Sequence, residues 1–121
     1  MSFGVSRAGG LNLSAGIDTS DDNVTFTRAV TLGGDVDIDT TGATAGNILF
    51  SSTIDTSGYN LSLDAGTAGN ITLSGALTGG GAFLVRSGAA QSYQALTVGS
   101  LQIENAVSSA LFNGADRKSV V

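Results

Sequence analysis

Thr44-Ala45-Gly46-Asn47-Ile48 recurs as Thr67-Ala68-Gly69-Asn70-Ile71, the same five residues 67 − 44 = 23 positions later. Outward from this pair, the middle of the chain realigns at a period of about 22 to 25 residues. A fixed period in that range marks a solenoid, in which each repeat is one turn that can bury its apolar side only against its neighbours.

Each repeat contains three short runs. The first is Asn23-Val24-Thr25-Phe26, Asn47-Ile48-Leu49-Phe50 and Asn70-Ile71-Thr72-Leu73. The second is Ala29-Val30-Thr31-Leu32, Ser52-Thr53-Ile54-Asp55 and Gly75-Ala76-Leu77-Thr78. The third is Val36-Asp37-Ile38-Asp39, Leu61-Ser62-Leu63-Asp64 and Phe83-Leu84-Val85-Arg86, with Leu11-Asn12-Leu13-Ser14 reading as its upstream copy. Downstream the pattern degrades into Ala95-Leu96-Thr97-Val98 and Leu101-Gln102-Ile103-Glu104. Apolar residues two apart in most runs predict half-buried strands. Gly33-Gly34, Ser57-Gly58 and Gly79-Gly80-Gly81 break the runs. A meander of hairpins would favour tight Asn-Gly or Asp-Gly turns, and Asn113-Gly114 is the one such pair, beyond the last strand. The prediction is an all-β chain: a parallel β-helix (β-solenoid) of about four coils of 22–25 residues, spaced about 4.8 Å apart. A lone coil buries too little to stay ordered, so coils must stack, and both ends present open edges.

Composition narrows the rest. At 121 residues, the chain is one domain or part of one. With 41% hydrophobic residues it is no disordered Gly-rich linker, despite 18 Gly and no Pro. Only 12% of residues are charged, so the surface consists of hydroxyls and amides. The net charge is −5, with Asp18, Asp21, Asp22, Asp35, Asp37, Asp39, Asp55 and Asp64 all at or before position 64, and no basic patch offers itself to nucleic acid or anionic lipid. Cys and His are both absent, which removes disulfides, thiolate metal sites and the commonest general base. Met1–Val5 does not read as a signal peptide, and no stretch approaches the roughly 18 apolar residues of a membrane span. Asp116-Arg117-Lys118-Ser119-Val120-Val121 breaks the composition and matches what one frame of a common short-read sequencing adapter encodes. Residues 1–115 therefore read as a β-helix repeat segment of a larger protein, and 116–121 as a non-native tail.

The candidate chemistry is thin. Asn23, Asn47 and Asn70 superpose if the coils stack. Their side-chain amides then either stack and bond to one another along the axis or simply tolerate a left-handed turn, with Gly46 and Gly69 supplying turn freedom. Asp35, Asp37 and Asp39 share one strand face at about 6.7 Å spacing. That suits a solvated face best, with a weak cation site or a carboxylate pair as sharper options. Gly33-Gly34-Asp35-Val36-Asp37 lacks the third Gly of a calcium-binding nonapeptide and occurs once. Thr25-Phe26-Thr27 resembles the Thr-x-Thr rows of ice-binding solenoids, but Leu49 and Ser51, then Thr72 and Ser74, fill the matching positions and break the array. Arg7, Arg28 and Arg86 are scattered, and Arg86 is expected to face Asp64 and Asp39. Tyr59, Tyr93 and Phe83 read as packing or rim residues. No catalytic, cofactor-binding or metal residue is assigned, no cofactor is expected, and the chain reads as no enzyme.

The unit Asn70-Ile71-Thr72-Leu73-Ser74-Gly75-Ala76-Leu77-Thr78-Gly79-Gly80-Gly81, together with Leu61-Ser62-Leu63-Asp64-Ala65-Gly66, resembles the repeats of filamentous-haemagglutinin-like adhesins and autotransporter passengers, large bacterial surface proteins. The likeness runs from about Leu11 to Ala106. It implies a right-handed β-helix, secreted or displayed at the bacterial cell surface, that serves as a structural or adhesive shaft. The implied partners are neighbouring coils of the same parent chain and a host surface, matrix or glycans. The export signal, secretion domain and membrane barrel of such proteins are not in this sequence, as in a fragment. The alternative is a carbohydrate-active β-helix enzyme, polysaccharide lyase or glycosidase-like, that uses the acids near Asp35–Asp39.

Overall fold

The computed structural model describes residues 3–5, 11–19, 21–42, 46–104 and 106–112, the first and last of these by backbone alone. Arg7, the Thr44-Ala45 start of the first pentad, Asn113-Gly114 and the 116–121 tail lie outside the described residues.

Three strands make one turn, and each packs beside its copy in the next turn. The first face holds β1 (Phe3–Val5), β4 (Val24–Phe26), β7 (Ile48–Phe50) and β10 (Ile71–Leu73). The second holds β2 (Leu11–Leu13), β5 (Val30–Leu32), β8 (Ile54–Asp55) and β11 (Leu77–Thr78). The third holds β3 (Ile17–Asp18), β6 (Val36–Asp39) and β9 (Leu61–Asp64). The long β12 (Ala82–Tyr93) runs along the third face and continues onto the first. β13 (Ser100–Ile103) then pairs with its start and β14 (Ala106–Phe112) with its end. Every named strand pair is parallel. The chain is thus the parallel β-solenoid expected. Three regular turns run from Val24 to Arg86, with a less regular turn on either side, which brackets the expected count of about four.

The register places like above like. Val24, Ile48 and Ile71 form one inward column, and Phe26, Phe50 and Leu73 the next. Val30, Ile54 and Leu77 line the second face, while Val36, Leu61 and Phe83 line the third beside Ile38, Leu63 and Val85. All of these are buried, and the polar residues between them point out. Period two therefore fixes which side of each strand meets the core. The Phe26 and Phe50 rings stack with centroids 4.7 Å apart and planes 22° apart, close to the strand spacing itself.

Three assignments differ from the expectations. Leu11–Leu13 is not a third-face strand: it pairs with Val30–Leu32 on the second face, and the shorter Ile17-Asp18 takes the third-face place beside Ile38-Asp39. Gly88–Tyr93 is a first-face strand, although Gln91 stands in the inward column of Ile48 and Ile71. The turns also vary in length: steps of 25 and 24 residues in the regular coils give way to 24 − 3 = 21 and 30 − 11 = 19 at the amino end, and to 20 between Asn70 and Ala90 and 101 − 83 = 18 between Phe83 and Leu101 at the other.

Gly46 and Gly69 serve space rather than torsion. A Cβ on Gly46 would collide with the Asp22 carbonyl below it, and one on Gly69 with the carbonyls of Gly46 and Ala65. Left-handed backbone falls elsewhere, on Gly58, Gly66, Gly79 and Gly80 and on Asp21 and Ser57.

Candidate functional surface

The outward side chains form columns, and the column just before the first face is asparagine. Asn47 N–H donates to Asn23 Oδ1 at 2.8 Å, and Asn70 N–H to Asn47 Oδ1 at 2.8 Å. The series ends where Ala90 N–H donates to Asn70 Oδ1 at 3.1 Å. Beside each of the first two rungs a main-chain bond runs the other way, Val24 N–H to Asn47 O and Ile48 N–H to Asn70 O, both 2.9 Å. The ladder is real, but its bonds run from side chain to backbone rather than amide to amide. The left-handed alternative fails, since none of these Asn has positive φ. Chemistry explains the choice: the strand-entry N–H has no ladder partner, and a short side chain with a carbonyl oxygen reaches it.

A second ladder, which sequence reading missed, stands before the third face. Asn60 N–H donates to Asp35 Oδ1 at 2.9 Å, and Ala82 N–H to Asn60 Oδ1 at 3.2 Å. The signal was present in the shared place of Asp35 and Asn60, each one residue ahead of a strand.

The acidic strand resolves into separate tasks. Val36 and Ile38 point inward and Asp35, Asp37 and Asp39 outward, as the alternation predicts. Asp35 caps Asn60 as described. Asp39 Oδ1 accepts from Thr41 N–H at 2.8 Å and Thr41 Oγ1 at 2.6 Å, closing a turn. Asp37 sits 3.6 Å from Arg86, with both side chains about half exposed at 50% and 48%. That corrects the expected partner of Arg86: Ser87, not Arg86, stands in register with Asp64, because the pairing shifts between Val85 and Ser87. Ser87 Oγ donates to Asp64 Oδ1 at 2.6 Å, and Gly66 N–H to the same atom at 3.0 Å. Asp55 closes a similar turn onto Ser57 N–H at 2.9 Å. Asp18, Asp39 and Asp64 form one column, yet among the described residues no three acids converge as a cation site would require.

The Thr row is broken as read, since Leu49 stands between Thr25 and Thr72 in register. Phe83 and Tyr93 are core residues in edge-to-face contact, centroids 5.6 Å apart at 84°, whereas Tyr59 is exposed on the loop ahead of Asn60. The Tyr93 hydroxyl, with its residue 0% exposed, donates to Gln91 Oε1 at 2.6 Å, and Gln91 Nε2 donates to Gly88 O at 3.2 Å. Burial pushes the Tyr93 phenol well above its ordinary value.

The fold and this surface define a parallel β-solenoid whose outer face is hydroxyl-, amide- and carboxylate-bearing. No family model, curated protein or solved structure matches the chain. No helix among the described residues is long and apolar enough to cross a membrane.

Proposed function

We propose that this chain is a non-catalytic shaft segment of a large, repetitive, secreted or surface-displayed bacterial protein. Stacked coils make a stiff rod. Outward Ser, Thr, Asn and Asp side chains contact a host surface, matrix or glycans. The observation that carries the reading is how the outward polar groups are used. Asp35, Asp39, Asp55 and Asp64 are hydrogen-bonded to the backbone or hydroxyls of their own or the next coil, and Asp37 lies beside Arg86. Such a surface spends its carboxylates on holding turns together. A carbohydrate-cleaving site needs two of them aimed at one bond.

Two measurements test it. Sequencing outward from the coding region should reveal further turns with the same three-run pattern. Incubating the purified chain with acidic and neutral polysaccharides should release no reducing or unsaturated ends. Turnover that disappears in Asp37→Asn would overturn the reading in favour of a carbohydrate-active enzyme, as would flanking turns interrupted by loops around a carboxylate groove.

A further inference from the structure

We propose that Asn23, Asn60 and Asn70 are acceptor sites for N-linked sugar. Each opens an Asn-x-Ser/Thr triplet, namely Asn23-Val24-Thr25, Asn60-Leu61-Ser62 and Asn70-Ile71-Thr72, and Asn12-Leu13-Ser14 carries the same pattern in mid-strand. The triplet is the acceptor signal for attachment of a glycan to the Asn amide. Of the five Asn among the described residues, Asn47 alone lacks it, having Leu49 two positions on.

A strand-entry Asn followed by an alternating strand places some outward residue at the third position. It does not demand a hydroxyl there: comparable outward positions hold Asp37, Leu49, Leu84 and Gln102. The fold then presents the triplet to a transferase. Asn23, Asn60 and Asn70 are exposed, and Val24, Leu61 and Ile71 are buried. Thr25, Ser62 and Thr72 return to the outer side, half-buried. Amide and hydroxyl thus share the solvent side, and the residue between them is anchored in the core.

The ladder also leaves the reactive atom unused. Only an oxygen can accept from the N–H of Asn47, Ala82 or Ala90, so Oδ1 of Asn23, Asn60 and Asn70 must face the next coil. Nδ2 is turned away and makes no hydrogen bond among the described residues. A glycan joins through that nitrogen. Nδ2 attacks the anomeric carbon of a phosphate-activated sugar, and the new C–N bond forms as the C–O bond to phosphate breaks. The nucleotide or lipid carrier leaves with the electron pair, and the amide proton passes to a base of the transferase. Oδ1 remains an acceptor, so the cap survives modification. Spacing agrees as well. Asn23 and Asn70 lie two rungs apart, about 10 Å at the usual strand separation, whereas Asn47 between them would crowd both sugars.

The proposal rests on this geometry and not on the adhesive reading, so either can fail alone. In one arm of the test, the folded, purified 121-residue chain is incubated with a soluble Asn-specific glycosyltransferase and a nucleoside diphosphate hexose. In the other, the chain is passed through a secretory pathway that transfers glycan from a lipid pyrophosphate. Site-resolved mass spectrometry should find sugar on Asn23, Asn60 and Asn70, with Asn47 bare, and the arm that labels identifies the donor. Thr72→Ala should clear Asn70 alone, and Leu49→Thr combined with Thr25→Ala and Thr72→Ala, which free both neighbouring rungs, should make Asn47 a site, with circular dichroism unchanged in both. No labelling in either arm would overturn the proposal. So would wild-type Asn47 labelled as heavily as its neighbours, or a glycosylated chain that has lost its β-sheet spectrum.

Discussion

The turns between Val24 and Arg86 and those after Ser87 solve the same corner differently. In the first region a separate loop joins the third face to the first, and a side-chain cap fastens each first-face strand entry at 2.8 Å. In the second, β12 bends through Ser87-Gly88 without leaving the strand, and the cap lengthens to 3.1 Å and ends on Ala90. Gln91 and Tyr93 occupy the columns that Ile71 and Leu73 hold one turn earlier. A solenoid can shed residues from a turn, and here the polar groups drawn into the core, Gln91 and Tyr93, pair with each other.

The difference can be broken at its strongest point first. Phe50→Ala removes one of two stacked rings from the middle of the column between Phe26 and Leu73 and should cost about 3 to 5 kcal/mol of unfolding free energy by chemical denaturation. A smaller loss would mean that the regular turns collapse onto the gap.

In the narrow region Tyr93→Phe leaves Gln91 Oε1 without its 2.6 Å donor and should cost about 1 to 3 kcal/mol. Adding Gln91→Leu should recover part of that, because it removes the stranded oxygen while taking the Nε2 donor from Gly88 O. The same tyrosine sets an alkaline limit. The unfolded chain releases the phenol proton near pH 10 while the folded chain holds it. This contribution is therefore constant below about pH 10 and falls above it. Tyr93→Phe should flatten that slope in a series of denaturation midpoints against pH.

The caps give a finer contrast. Asn47→Ala should cost about 1 kcal/mol, Asn47→Asp much less since the acceptor stays, and Asn70→Ala less than Asn47→Ala because its rung is the longer one. Equal losses at the two positions would deny that the ladder weakens along the rod. Smallest of all, Arg86→Ala should change stability by less than about 0.5 kcal/mol, and by nothing in high salt, because its pair with Asp37 is half exposed.

Much of the regular region was legible because one face of each strand is apolar and the period is nearly constant. Asn23, Asn47 and Asn70 marked the strand entries, and Val24, Ile48 and Ile71 the core. The narrow region was not, for two physical reasons. Gln91 satisfies its amide inside the core, so the column shows no apolar residue there, and the turn is too short to align with its predecessors. The placement of Leu11–Leu13 failed for a related reason: on alternation alone, any Leu-x-Leu fits any face, and only the partner strand decides. The caps were half legible. Superposed Asn could be read, but that a carboxylate at Asp35 and an amide at Asn60 do the same work appears only when both oxygens meet the backbone above.

Every cap points the same way along the axis: a finished turn extends an oxygen toward the turn that follows it in sequence. The column is therefore polar along the axis: in each coil the side-chain oxygen faces the following coil and the strand-entry N–H the preceding one. That polarity ends at Ala90, which receives a cap and has no side-chain oxygen to pass on.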